Sequence, residues 1–230
     1  MQAEILYRPA YSMCIITLTP EEEIRVEAGS MVSMTEGVTI QTRMEGGLFN
    51  SLKRSLLGGE SFFLNVFQAP AFGGQINLAP VLPGDMMILK MEDDSLLVQS
   101  GSYVASSMGI EVDATWGGAR TFFASEGLIM LRARGYGLLV LSSYGAIHPI
   151  ELVAGQRYTV DTGHLVAFTE GMGFNVRTVG GLRSSVLSGE GLVVDLVGPG
   201  RVYMQTRSED AFMSWLRPYM DQHDKDREQK

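Results

Sequence analysis

Only one of the 230 residues, Cys14, is a cysteine, so neither an intrachain disulfide nor a thiolate cluster for zinc can form. Such scarcity fits a reducing compartment, and the expectation is a cytoplasmic protein, peripheral to a membrane at most. Positive charge is also thin. Lys and Arg number 18 against 26 Asp and Glu, a formal net charge of −8, and only four of the cations are lysines. That balance repels phosphate backbones, so binding nucleic acid would require a clustered basic patch, and the sequence has none. Long apolar runs are missing as well: no window approaches the ~20 residues of a spanning helix. The opening MQAEILYRPAYS is broken by Glu4, Arg8 and Pro9 and does not read as a signal peptide.

Chemistry-bearing arrangements are equally sparse. The three histidines, His148, His164 and His223, show no HxH or HExxH spacing that would set two on one face, so no metal site is expected. The serines lack a GxSxG elbow, and Cys14 lies in an apolar segment with no neighbouring histidine to activate it. No GxxxxGK[ST] phosphate loop occurs. The expectation is a protein without catalytic residues, metal or cofactor.

Glycine, by contrast, is plentiful, with 27 residues, and its positions repeat. GVTIQTRMEGGLFNSLKRSLLGGESFF from Gly37, GIEVDATWGGARTFFASEGLIM from Gly109 and GFNVRTVGGLRSSVLSGEGLVV from Gly173 follow one order of events. A glycine opens alternating apolar positions, then come a Gly-Gly pair, a basic residue (Arg54, Arg120, Arg183) and a Glu beside Gly (Glu60, Glu126, Glu190). Spacings of 66 and 64 between the glutamates imply a unit of roughly 65 residues. Short runs such as SFFLNVF, LIMLRA, GLLVLSS and RVYMQT, rich in β-branched, aromatic and aliphatic residues, read as strands. The segments PAFGG, GYG and GPG read as hairpin turns.

The expected fold is all-β. Three tandem pseudo-symmetric β-units span 1–58 (with an inserted helix), 59–125 and 126–188, followed by a closing strand pair at 189–208 and a C-terminal helix and charged tail at 209–230. In the inserted helix, residues 47–58, Leu48, Phe49, Leu52 and Leu56 share one face while Lys53 and Arg54 lie off it. The C-terminal helix has Ser208 as N-cap, Glu209 and Asp210 in its first turn, and Phe212, Trp215, Leu216 and Tyr219 on one face. Pro218 is expected to end or kink it, and the remaining tail to fray.

The collective order of VEAG, GVTI, GG…LKR…GGE, LPGD, GSYVAS, GYGLLVLSSYGAI, VDTGHLVAF and GPGRVYMQT resembles the Altered Inheritance of Mitochondria, or mitochondrial-biogenesis, family over about residues 3 to 208. The resemblance implies tandem copies of a small β-fold similar to the tryptophan RNA-binding attenuation protein, a short double-stranded β-helix or sandwich. It implies no catalytic residues. Fold analogy alone carries no function.

Two features compete for function. Glu60, Glu126 and Glu190 could converge to hold a cation, but carboxylates beside glycine commonly accept backbone N–H groups in turns, and the structural role is preferred. The 47–58 helix combines an apolar face with two cations, the pattern of an element that docks on a partner protein or an anionic membrane; the alternative is a helix packed over the open end of a β-sandwich. The leading expectation is a non-enzymatic scaffold or interaction protein forming a symmetric homo-oligomer, expected as a trimer, contacting partner proteins or an anionic membrane surface. Its rivals are a small-ligand-binding protein or enzyme with a site where the units meet and, more weakly, a nucleic-acid-binding ring.

Overall fold

The computed structural model describes residues 1–41, 64–113, 129–179 and 192–228, with side chains as far as Met220. The fold is all-β, with one α-helix among the described residues. In chain order the strands are β1 (Gln2–Leu6), β2 (Met13–Leu18), β3 (Glu23–Glu27), β4 (Met31–Met34), β5 (Thr39–Gln41), β6 (Leu64–Gln68), β7 (Gly74–Leu78), β8 (Met86–Gln99), β9 (Tyr103–Ser107), β10 (Ile110–Asp113), β11 (Met130–Ser142), β12 (Ile147–Leu152), β13 (Arg157–Asp161), β14 (Leu165–Thr169), β15 (Gly173–Thr178), β16 (Leu192–Val197) and β17 (Gly200–Gln205). The helix is α1 (Glu209–Glu228). No described helix is long and apolar enough to cross a membrane.

Alternation sets the faces of the strands. β2 buries Cys14, Ile16 and Leu18 while the residues between them are half-buried or exposed, and β3 buries Ile24 and Val26 in the same way. Burial on one face makes register costly to shift, since a slip of one residue would exchange the two faces.

One antiparallel pairing scheme recurs. In the first instance β2 and β4 flank β7, while β3 and β5 flank β6. In the third, β12 and β14 flank β17, while β13 and β15 flank β16. Between them, β8 and β11 pair along their whole lengths; β9 joins the C-terminal half of β11 and β10 its N-terminal half. Segment 192–205 therefore supplies strands that pair with β12 through β15.

The glycine-rich connections differ from their sequence reading. PAFGG and GPG do not make hairpins, because β6 does not pair with β7, nor β16 with β17. They lie where a two-stranded ribbon bends at a corner. At the first, Ala69 N–H donates to Glu22 O and Glu21 N–H to Pro70 O; at the last, Gly155 N–H donates to Gly198 O and Gly198 N–H to Gln156 O. The bend lets one ribbon fold its apolar face over itself, which two flat hairpins cannot do. GYG is not a turn: β11 passes through it with a bulge between Gly135 and Tyr136.

Successive schemes are joined by two further ladders, β3 with β9 and β8 with β14. Packing follows these joints. One core gathers Ile16, Ile24, Phe67 and Ile76 and takes in Val104, Ala105 and Val140 from the next scheme. A second gathers Leu96, Val98, Tyr103 and Leu131 and takes in Val166 and Ala167. The third centres on Val160, Phe168, Val194 and Leu196.

Candidate interaction surfaces

The residues singled out by sequence for docking, Leu48, Phe49, Leu52, Lys53, Arg54 and Leu56, lie outside the described residues, as do Glu60, Glu126 and Glu190. What the structure does place is the chemistry of the remaining polar groups. Among the described residues no three His, Cys, Asp or Glu side chains come together as they would to hold a metal ion.

Cys14 is buried in β2, and burial, with a smaller contribution from Glu4, pushes its thiol up to about 12. Such a thiol stays protonated at neutral pH and is a poor nucleophile. His164 uses Nδ1 to meet the carbonyl of Gln205 at 2.8 Å, while the Gln205 side chain bonds Tyr144 N–H and Gly163 O. That histidine ties the start of β14 to the end of β17. His148 stands exposed on β12.

The most tightly held carboxylate is one the sequence did not single out. Asp85, buried at the mouth of β8, accepts two hydrogen bonds from Arg8, one from the Ser12 hydroxyl and one from Met86 N–H. Desolvation works to raise its pKa, but the Arg8 bonds and then the Met86 and Ser12 bonds outweigh it and hold the carboxyl below its ordinary range. Beside it the chain crosses itself closely: Asp85 N–H donates to Gly145 O and Ser143 N–H to Asp85 O. A Cβ on Gly84 would sit 1.7 Å from the Ser143 carbonyl oxygen. The Asp85 carboxylate is engaged on both oxygens by the chain's own donors, so the knot reads as a structural clasp.

Two surfaces among the described residues are candidates for binding. α1 begins as the sequence predicts, with the Ser208 hydroxyl accepting from Ala211 N–H at 3.4 Å. It does not stop at Pro218, and the charged tail is helical to Glu228. Pro218 removes one N–H and displaces the carbonyl a turn earlier, a disturbance of about 3 kcal/mol, but on an exposed helix the freed carbonyl turns to water. Phe212 meets Tyr144 edge-on with ring centroids 6.1 Å apart. Beyond that contact Trp215 and Tyr219 are each 60% exposed and lie 5.2 Å apart as a tilted pair, with Met213 and Met220 also exposed. The second surface is a pair of strand edges. β4 ends the four-stranded sheet β1-β2-β7-β4, and β13 ends the three-stranded sheet β13-β16-β15.

A family model described as "Mitochondrial biogenesis AIM24" matches residues 3–207. An uncharacterised protein of Streptococcus pyogenes serotype M6 is 29% identical over 206 residues, covering 86% of this chain and 82% of that protein. A crystal structure of a Streptococcus pyogenes protein superposes with a TM-score of 0.78 at 26% identity, covering 95% of this chain and 99% of that one. The match to the family model ends before α1.

Proposed function

The chain belongs to the AIM24 mitochondrial-biogenesis family, and from that premise we propose that it is a non-enzymatic scaffold, a symmetric homo-oligomer that works by holding partner proteins. The observation that supports this reading is the aromatic face of α1. Trp215 and Tyr219 are large, rigid and half-exposed, and such side chains serve as anchors in interfaces because they bury much area at little conformational cost. Several copies on one oligomer would turn weak single contacts into useful avidity. A protein partner is preferred to an anionic membrane at α1, since residues 209–228 contain six acids and three bases. The 47–58 segment, with Lys53 and Arg54, is the complementary candidate for anionic surfaces. We place the protein in the cytoplasm on the strength of its single cysteine.

The test is affinity capture with the full chain and with a Trp215→Ala/Tyr219→Ala variant, beside light scattering and binding to phosphatidylserine vesicles. Expected are an oligomeric mass for both proteins, a partner retained by the wild type and lost by the variant, and equal unfolding midpoints. Vesicle binding abolished by the variant would move the assignment from protein to membrane, and equal capture by both would remove α1 from the interface.

A further inference from the structure

Sulfur is unevenly distributed in this chain: one cysteine stands against 14 methionines. The Cys14 thiol is buried and held protonated, so it offers a hydroperoxide no thiolate to oxidise. The methionines divide by depth. Met86, Met91, Met130 and Met172 are buried, whereas Met31, Met34, Met213 and Met220 are exposed. The first exposed pair lies on β4 and the second on α1.

The α1 pair belongs to a single patch. Residues three and four apart are neighbours on a helix surface, and Leu216 has Phe212 and Met213 at those intervals on one side and Tyr219 and Met220 on the other. Leu216 is half-buried and the four around it are exposed, Met213 at 49% and Met220 at 53%. Two aromatic rings and two thioethers therefore enclose a leucine on the apolar face of α1. Methionine is flexible and polarisable, which suits an interface, and leucine replaces it at nearly constant volume. Oxidation separates the two side chains, since only the thioether becomes a polar sulfoxide. Arg217 follows Met213 by four residues and precedes Met220 by three, so a guanidinium donor neighbours both sulfurs and would hold a sulfoxide oxygen as an acceptor.

We propose that Met213 and Met220 are an oxidation site for hydroperoxides, and that sulfoxide formation there withdraws α1 from its protein interface. The sulfur lone pair attacks one peroxide oxygen and the O–O bond breaks. A proton passes to the departing hydroxide, which leaves as water, so sulfur loses two electrons and the peroxide gains them. The oxidised patch keeps its shape but carries two strongly solvated oxygens where a partner would bury apolar surface, and their desolvation opposes docking. Methionine sulfoxide reductases reverse the change, one enzyme for each sulfoxide epimer.

This inference deepens the reading of α1 as a protein-binding face and rests on it, and the experiment tells the two apart. The full chain, Met213→Leu/Met220→Leu and Met31→Leu/Met34→Leu are each treated with hydrogen peroxide. Peptide mapping by mass spectrometry should show Met213 and Met220 gaining oxygen at least about tenfold faster than Met86, Met91, Met130 and Met172. Retention of the native chain on a phenyl column should fall as the α1 pair is converted, return after both reductases have acted, and stay constant in Met213→Leu/Met220→Leu. Met31→Leu/Met34→Leu should respond as the wild type does. The unfolding midpoint should hold throughout, because the patch lies outside the three cores. In the capture assay, the partner held by the untreated chain should be lost on oxidation yet held throughout by Met213→Leu/Met220→Leu. Oxidation of the α1 pair no faster than that of the buried four, or a fall in retention that persists in Met213→Leu/Met220→Leu, would overturn the site. Capture that survives full conversion at 213 and 220 would overturn the regulation and leave the interface standing. No capture by the untreated chain would overturn the interface reading, while mapping and retention still decide the oxidation site.

Discussion

Arg8 grips the carboxylate of Asp85 with two hydrogen bonds of 2.8 Å, across 77 positions of sequence. The contact holds the turn after β1 against the start of β8, and Ser12 reinforces it through its hydroxyl. Asp85→Asn removes the charge but keeps an acceptor, so the loss at neutral pH should be about 2–3 kcal/mol, the value of hydrogen bonds to a charged group. Because the folded carboxyl titrates below its unfolded value, its contribution is complete above about pH 4 and fades as the pH falls through the folded pKa. Urea midpoints of wild type and variant should differ at pH 7 and draw together as the pH is lowered below the ordinary carboxylate range; a constant difference would refute the ion pair.

Gly84→Ala places a methyl group on the Ser143 carbonyl oxygen, and both partners in the clash are backbone. The expected cost is about 3 kcal/mol or more, read as a fall in melting temperature of about 6 °C or more. A variant as stable as wild type would mean that the turns at Gly84 and Gly145 separate freely.

Cys14 should resist alkylation in the folded protein at pH 8 and react fully in denaturant. Its modification rate should rise with urea along the unfolding curve, since access requires opening the core around Ile16 and Leu78. Rapid labelling without denaturant would contradict the raised thiol pKa.

For Glu60, Glu126 and Glu190, each change to Gln should lower stability by about 1 kcal/mol through a weakened turn hydrogen bond. Calcium or manganese titration should give the same heats before and after substitution. A divalent site lost in the variants, with the apo melting temperature unaltered, would make the three carboxylates ligands.

The 47–58 segment is tested by separating charge from packing. Lys53→Glu/Arg54→Glu should abolish binding to anionic vesicles or to an acidic partner with the unfolding midpoint unchanged, and Leu52→Ala should do the same if that face is free. A packed leucine would instead cost about 2–5 kcal/mol on truncation. Intact binding in the charge variant together with a destabilised Leu52→Ala would make the segment a cover over the fold.

Strand identity was legible in local composition. Met130–Ala133 and Gly137–Ser142 lie in β11 and Arg201–Gln205 in β17, as their aliphatic and aromatic content implies; β11 buries Leu139, Val140 and Leu141 in succession because cores lie on both of its faces. Partner choice was not legible. GPG and GYG supply backbone freedom without stating whether the chain reverses, bends or bulges, and only the strands packed across them decide that. The Arg8–Asp85 clasp also eluded the sequence, since nothing local joins residues so far apart. The aromatic face of α1 was visible from its spacing; of the two expectations for Pro218, an end or a kink, the end is excluded, since the helix runs on to Glu228 and an exposed helix can hydrate the carbonyl that proline releases.

The position of β17 bears on how the protein is made. It leaves the ribosome after every other described strand, yet it lies between β12 and β14, so those two strands have no hydrogen-bonding partner between them until translation passes Gln205. The first scheme, complete by Leu78, can form far earlier. A nascent chain stalled before Gly200 would pair ordered N-terminal ribbons with an open slot at its trailing end, a natural target for a chaperone or for the strand of a neighbouring nascent chain.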